Sequence, residues 1–133
     1  YQAVDRALEE IGVKTRIILV DFHAEATSEK ISMGWYLEGR ISALWGTHTH
    51  VQTSDNKILP EGTAYITDLG MTGAHHSVLG RKIEPVLRKM IKQLPAPFDV
   101  AEEDLRLSGV VITVDAETGR ATEIERIHVP YAP

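Results

Sequence analysis

The sequence contains no cysteine, and its 133 residues include no apolar run near the roughly 20 residues that a membrane-spanning helix needs. Without cysteine the chain can form no disulfide, thiolate metal site or cysteine nucleophile. Basic residues are also in the minority, with 14 Lys and Arg interspersed among 19 Asp and Glu. No basic stripe could follow a phosphate backbone, so binding to a nucleic-acid polymer is not expected. We expect a cytoplasmic protein that does not bind membranes.

The remaining composition is typical of a folded domain. Hydrophobic residues make up 43% of the chain and charged residues 25%, which favours one globular domain over two. A chain of this length can bury roughly two-thirds of its unfolded surface, so it can form a hydrophobic core. The sequence opens within a helical pattern and without an initiator methionine. We therefore expect a piece of a longer single domain.

Apolar spacing predicts alternating helices and strands. Helical patterns occupy residues 4–11, 27–37 and 83–94, and short apolar strands occupy residues 17–20, 41–45 and 64–66. The first strand is an uninterrupted apolar run, typical of a parallel strand covered on both faces. Thr27 or Ser28 is expected to cap the second helix. The order indicates an α/β fold, whose ligands bind at the carboxyl ends of the strands.

The end of the chain changes character and predicts a β-hairpin. Residues 107–114 and 120–129 have the composition of strands, and the turn between them places Gly119 at a left-handed position. We expect this hairpin to close the domain.

Three of the six histidines follow predicted strands. His23 comes after the first strand, and His48 and His50 come after the second strand, just beyond Gly46. In a continuing strand the rings of His48 and His50 would point to opposite faces, but in an irregular loop both can turn into one pocket. Imidazole nitrogen binds Zn, Fe, Mn and Ni well. A histidine at a strand end is more often a surface or hydrogen-bonded residue, so this spacing alone does not identify a chemistry.

Four polar neighbours of these histidines are candidate site residues, and for three of them a purely structural interpretation competes. Asp21 can accept a hydrogen bond from a ligating imidazole, or it can simply end the strand by bonding nearby backbone. Glu25 can orient His23 in the same way. Thr47 and Thr49 lie close enough to the imidazoles to contact phosphate oxygens, but threonine also fits such a loop for conformational reasons.

Three longer motifs carry a family resemblance: VDFHAEATSEK at 20–30, GTHTHVQT at 46–53 and GTAYITDLGMTG at 62–73. Together they span roughly residues 15 to 73 and resemble the YmdB-type branch of the calcineurin-like metallophosphoesterase superfamily. The following loop, residues 73–78, departs from the family pattern, because it contains His75 and His76 and lacks the usual proline followed by an aromatic residue and an aspartate. We expect these two histidines to be solvated, with contact to substrate or to a neighbouring subunit as the alternatives.

The resemblance implies a four-layer α/β/β/α sandwich, of which residues 1–133 form the C-terminal half ending in the hairpin. It also implies hydrolysis of small phosphodiesters such as 2′,3′-cyclic nucleotides through a dinuclear metal-bound hydroxide. The implied cofactors are two divalent metal ions, iron or manganese first, with zinc or magnesium as alternatives. By the same resemblance, His23 and His48 bind one metal and His50 binds the other.

The other ligands of the family (an aspartate, a bridging glutamate and an asparagine) and its general-acid histidine belong to an N-terminal half. None has a counterpart in this sequence, so we expect no catalytic residue here, an inactive isolated chain, and the N-terminal half of the same protein as a partner. Two alternatives stay open: a capsule-synthesis-like metal-dependent protein of the same superfamily, and a non-catalytic regulatory or assembly module. The sequence also leaves homo-oligomerisation open.

Overall fold

A computed structural model describes residues 1–132 and contains three α-helices, one short 3₁₀ helix (Gly12–Lys14) and seven strands within that range. The helices are α1 (Gln2–Ile11), α2 (Thr27–Leu37) and α3 (Ile83–Lys92). The strands are β1 (Leu19–His23), β2 (Ala43–Thr47), β3 (Lys57–Ile58), β4 (Ala64–Ile66), β5 (Gly73–Ala74), β6 (Leu105–Val114) and β7 (Ala121–Pro130). Every helix among these residues is too short or too polar to span a bilayer.

The strands form two sheets. The first sheet has the order β1-β2-β4-β3, in which β1, β2 and β4 are parallel and β3 is antiparallel to β4. The second sheet has the order β5-β6-β7 and is antiparallel, with the predicted hairpin as its main part. Gly119 has a φ of 76° in the hairpin turn, as predicted. The structure confirms a mixed α/β fold, and the four-layer arrangement stays a prediction.

The two faces of the first sheet pack against different partners, as the alternation of side chains along a strand requires. Leu44 and Tyr65 face the helices and pack with apolar residues of α1 and α2. Their neighbours Ala43 and Ala64 face the other way, toward the second sheet. Small residues at these two positions allow the sheets to approach closely. Helices α1 and α2, the first sheet and the second sheet therefore stack in that order.

Gly34 allows helix α2 to pack directly against Tyr65 of the first sheet. A Cβ atom added to Gly34 would lie 2.7 Å from Cδ2 of Tyr65, a distance that side chains do not tolerate. Met33 and Leu37 flank this contact on the buried face of the helix. The same face carries Lys30, whose position matters for the site described below.

Several predictions about element boundaries are wrong. The first strand begins at Leu19 instead of Ile17, because the backbone N–H of Ile17 bonds the Thr15 hydroxyl at 3.1 Å in a local turn. The second helix is not capped by Thr27 or Ser28. Its N-cap is Ala26, which has no capping side chain and whose carbonyl accepts the first helical N–H groups.

The expectation that the first strand is covered on both faces is also wrong. β1 is the edge strand of its sheet, and its residues alternate between exposed and half-buried. Ile17 and Leu19 remain 42% and 53% exposed. They line an apolar groove of about 490 Å³, together with Trp45, Leu69 and residues of β6. We refer to it below as the edge groove.

Candidate metal centre

Parallel pairing of β1 with β2 brings the predicted metal ligands to one edge of the sheet. The register places His23 opposite Thr47, so the two strands end at the same level and His48 follows directly. Nε2 of His23 lies 3.2 Å from Nδ1 of His48, and the ring centroids are 5.1 Å apart at an interplanar angle of 75°. The two rings therefore lie as close together as shared binding of one metal ion would require. Both side chains are exposed at the rim of the sheet.

The spacing of the two rings fits a shared metal ion. Two nitrogens that each lie about 2.0–2.1 Å from one ion are about 3.3–3.4 Å apart at a tetrahedral angle. The observed separation of 3.2 Å between the His23 and His48 nitrogens needs little adjustment to meet that geometry. Two imidazoles are also a donor set that suits iron, manganese or zinc.

A hydrogen-bonded chain behind His23 orients its ring. The Thr47 hydroxyl lies 3.0 Å from Nδ1 of His23 and donates to Oδ1 of Asp21 at 3.3 Å. Because that hydroxyl gives its single proton to the carboxylate, it must accept the proton of His23 Nδ1. With Nδ1 as the donor in this chain, Nε2 is the ring nitrogen left to act as an acceptor or metal ligand, and it lies toward His48. This is the arrangement of partners that typically fixes the tautomer of a metal-binding histidine.

His50 lies two residues beyond His48, with an exposed side chain and a positive φ of 64°. Within residues 1–132, no hydrogen bond or ring contact joins it to the other two histidines, and no group of three or more His, Asp or Glu side chains is arranged to hold a metal. The structure therefore brings together two of the three predicted ligands. Metal binding by His50 stays a prediction.

The remaining predicted site residues contribute differently. Asp21 and Thr47 belong to the chain behind His23. The Thr49 hydroxyl is engaged with the backbone of Val51 in a local turn, at 3.1 Å from its carbonyl. Glu25 is exposed and makes no hydrogen bond to the histidines in the part of the chain described here.

Sequence reasoning missed a buried ion pair beneath the histidine loop, formed by Lys30 and Asp68 at 3.0 Å. Burial by itself would raise the pKa of the Asp68 carboxyl, but hydrogen bonds from the Thr49 and Gly70 backbone, with the Lys30 ammonium, outweigh it and lower the pKa below its ordinary value. The helical pattern of the sequence could have indicated this buried pair. Lys30 falls three residues before Met33, on the buried face of α2, where a charged residue requires a buried partner.

The structure also shows the surroundings of His75 and His76, the two histidines in the loop that differs from the family pattern. His76 is exposed and pairs with Glu103 at 3.0 Å. His75 is half-buried instead of solvated, since its Nε2 lies 3.2 Å from the Met71 carbonyl and its ring packs edge-on against His128.

The chain is similar in sequence to proteins that carry a phosphodiesterase or phosphatase name. The chain is 54% identical over 127 residues to the 2′,3′-cyclic-nucleotide 2′-phosphodiesterase of Bacillus subtilis (strain 168), a match that covers 96% of this chain and 48% of that protein. It is 39% identical over 112 residues to a putative phosphatase/phosphodiesterase of Mycoplasma pneumoniae, covering 84% of this chain and 40% of that one. The chain therefore spans about half the length of these relatives or less.

Solved structures show the same relationship. A hypothetical protein from Thermus thermophilus superposes with a TM-score of 0.89 at 42% identity, over 98% of this chain and 50% of that one. A novel phosphatase from Mycoplasma pneumoniae gives a TM-score of 0.89 at 34% identity, over 97% of this chain and 46% of that one. A family model described as YmdB-like protein matches residues 1–127. The resemblance inferred from the motifs is thus confirmed, and the chain belongs to the YmdB-like protein family.

Proposed function

We propose that this chain supplies part of the active site of a metal-dependent phosphodiesterase that hydrolyses small phosphodiesters, such as 2′,3′-cyclic nucleotides. The observation that carries the proposal is the 3.2 Å approach of the His23 and His48 nitrogens, backed by Thr47 and Asp21. Similarity to the Bacillus subtilis enzyme supports the same substrate class.

In this proposal His23 and His48 hold one divalent metal, and His50 holds a second. Iron or manganese suits this donor set, with zinc and magnesium as alternatives. Two bound cations supply Lewis-acid charge and an activated water to phosphodiester hydrolysis. The Thr47 hydroxyl keeps His23 in the tautomer that can bind, and Asp21 stabilises that hydrogen bond. The remaining ligands and the general acid would come from the half of the relatives that this chain does not span.

The charge of the chain favours a small substrate over a polymer. Its net charge is -5, with 19 acidic residues against 14 basic ones, which would repel an extended phosphate backbone. Metal ions provide positive charge locally, so a small diester needs no extended basic surface. A cytoplasmic location, where nucleotides are abundant, is part of the same proposal.

The edge groove is the proposed docking surface for the rest of the domain. Ile17 and Leu19 expose apolar side chains beside the unpaired edge of β1, and such an edge attracts another strand. A strand from the unspanned half of the protein would cover this surface and complete the four-layer sandwich.

The test uses the complete natural polypeptide that contains this chain. We expect it to bind two equivalents of Mn²⁺ or Fe²⁺ and to hydrolyse 2′,3′-cyclic nucleotides, while residues 1–133 alone show no activity. Turnover of a model diester without turnover of any cyclic nucleotide would instead favour the capsule-synthesis-like alternative. Absence of both metal binding and turnover would favour a regulatory or assembly module and would overturn the proposal.

A further inference from the structure

The ion pair of Lys30 and Asp68 lies directly under the loop that carries His48. Both residues are 0% exposed, although they come from different elements, the buried face of α2 and the segment after β4. An ion pair taken out of water is costly unless further hydrogen bonds satisfy its remaining protons and lone pairs. Where those additional bonds go therefore indicates what the pair holds in place.

The additional bonds go to the peptide groups on both sides of His48. Lys30 Nζ donates to the Thr47 carbonyl at 3.4 Å, and the Thr49 N–H donates to Oδ2 of Asp68 at 2.9 Å. The second carboxylate oxygen accepts the Gly70 N–H at 2.9 Å, which anchors Asp68 itself. The residue before His48 and the residue after it are thus tied to one buried pair.

Between these two attachments, the backbone of His48 has a φ of 137°, a conformation that residues with a side chain rarely adopt. Such a conformation persists only where the surroundings fix it on both sides. Gly46 makes the arrangement sterically possible, since an added Cβ would lie 2.4 Å from Cδ of Lys30 and 1.9 Å from the Thr67 carbonyl oxygen. The lysine side chain passes beneath β2 through the space that Gly46 leaves.

We propose that Lys30 and Asp68 are positioning residues, which hold His48 in this backbone conformation so that its ring meets the ring of His23. The metal-binding part of this inference rests on the proposed function, whereas the conformational part does not. An ion pair that served stability alone could be replaced by apolar residues at little or no loss. The pair of Lys30 and Asp68 instead bonds the peptide groups on both sides of His48, which indicates a role in fixing the backbone of that residue.

The experiment compares two variants with a matched control in the complete natural polypeptide. Lys30→Met removes the ammonium, and the double variant Lys30→Met with Asp68→Asn removes both charges without leaving one unpaired. The control is Thr63→Val, which deletes a buried hydroxyl that bonds Gly39 and Ile41 at the opposite end of β4. Two quantities are measured: the nuclear Overhauser effect between labelled His23 and His48 rings in the metal-free protein, and the Mn²⁺ affinity by calorimetry.

We expect both variants to lose the ring-to-ring signal and to bind Mn²⁺ about 10–100-fold more weakly, the range typical of residues that orient ligands. The control should lower the unfolding temperature while leaving both quantities unchanged. If Lys30→Met does not fold, the double variant decides. A folded double variant with the wild-type ring contact and Mn²⁺ affinity would overturn the inference. Failure of the wild-type protein to bind Mn²⁺ would overturn the proposed function instead, and the ring contact would still test the positioning role.

Discussion

His48 and His50 both have positive φ angles, 137° and 64°, in a loop where glycine would be the unstrained choice. Backbone strain of this kind costs about 1–3 kcal/mol at each residue and gathers at functional sites. Histidine, and not glycine, occupies both positions, which is the pattern expected where a strained residue is needed for its side chain. This observation supports the assignment of ligands independently of the motif resemblance.

The ligand assignment is tested by His48→Ala in the complete polypeptide. Turnover of a cyclic nucleotide should fall at least about 100-fold, because losing one ligand removes several kcal/mol of transition-state stabilisation. The matched control is His128→Ala, since His128 is exposed on β7 and bonds only Ser108 and Arg106 among the described residues. Equal losses of turnover in the two variants, with unchanged thermal unfolding, would show that the wrong histidines were assigned.

The role of the Thr47 hydroxyl can be separated from that of its methyl group. Thr47→Val should weaken Mn²⁺ binding about 10-fold, because Nδ1 of His23 loses the acceptor that fixes its tautomer. Thr47→Ser retains the hydroxyl and should bind Mn²⁺ as the wild type does. Calorimetry of both variants provides the measurement, and equal affinities for Thr47→Val and wild type would refute the role.

Among the elements, the segment before β3 is tied to the end of β4 by one carboxylate. Asp55 accepts hydrogen bonds from the Thr53 hydroxyl at 2.7 Å and from the Thr67 N–H at 3.1 Å. Burial alone would raise the pKa of Asp55, but hydrogen bonds from Thr67 and Thr53 outweigh it and lower the pKa below its ordinary value. The ionised form is therefore the one that holds the two segments together.

This lowered pKa predicts how stability depends on pH. The contribution of Asp55 is present above the pKa of an unfolded aspartate, about 3.9, and is lost as the pH falls through the lower folded-state pKa. Asp55→Asn should reduce the free energy of unfolding at pH 7 and flatten its decline below about pH 4. Urea unfolding of the metal-free protein from pH 7 to pH 3 measures this, with exposed Glu9→Gln as the control. An unchanged decline in Asp55→Asn would contradict the prediction.

Helix α3 shows what a local pattern can and cannot predict. Its apolar spacing predicted a helix, and the structure confirms one at Ile83–Lys92. Only Val86 of that helix is buried, while Met90 and Ile91 are 70% and 75% exposed. Periodicity indicates which side chains share a face, but the partner of that face is a property of the surrounding structure.

At the scale of the whole molecule, the edge groove predicts that another part of the complete polypeptide covers β1. Leu19 lines this groove and is 53% exposed in this chain. Leu79 is exposed to a similar extent, 54%, but lies on a loop outside the groove and therefore serves as the control. In the complete polypeptide, Leu19→Lys should lower the free energy of unfolding by about 2 kcal/mol or more, because a covered strand position would receive an unpaired charge. Leu79→Lys should have a small effect. Equal effects in thermal or urea unfolding would mean that the groove is not covered.

The parts of this protein that could be predicted from sequence are those encoded over short stretches of chain. The parallel strands, the hairpin with Gly119 and the placement of His23 and His48 after strand-forming residues all follow from local apolar spacing and turn chemistry. The predicted start of β1 was wrong, because the Thr15 hydroxyl holds the backbone of Ile17 in a local turn. The predicted cap of α2 was wrong, because the helix begins with N–H groups that bond the carbonyl of Ala26.

The distances within the site could not be predicted in the same way. The approach of His23 to His48 depends on the register that sets His23 opposite Thr47, and a register is fixed by packing along whole strands. The partners Lys30 and Asp68 are 38 residues apart and meet only when α2 packs against the sheet in which β4 lies beside β2. Local spacing determines which elements form, whereas the burial of charges and the meeting of strand ends depend on contacts between residues distant in the chain.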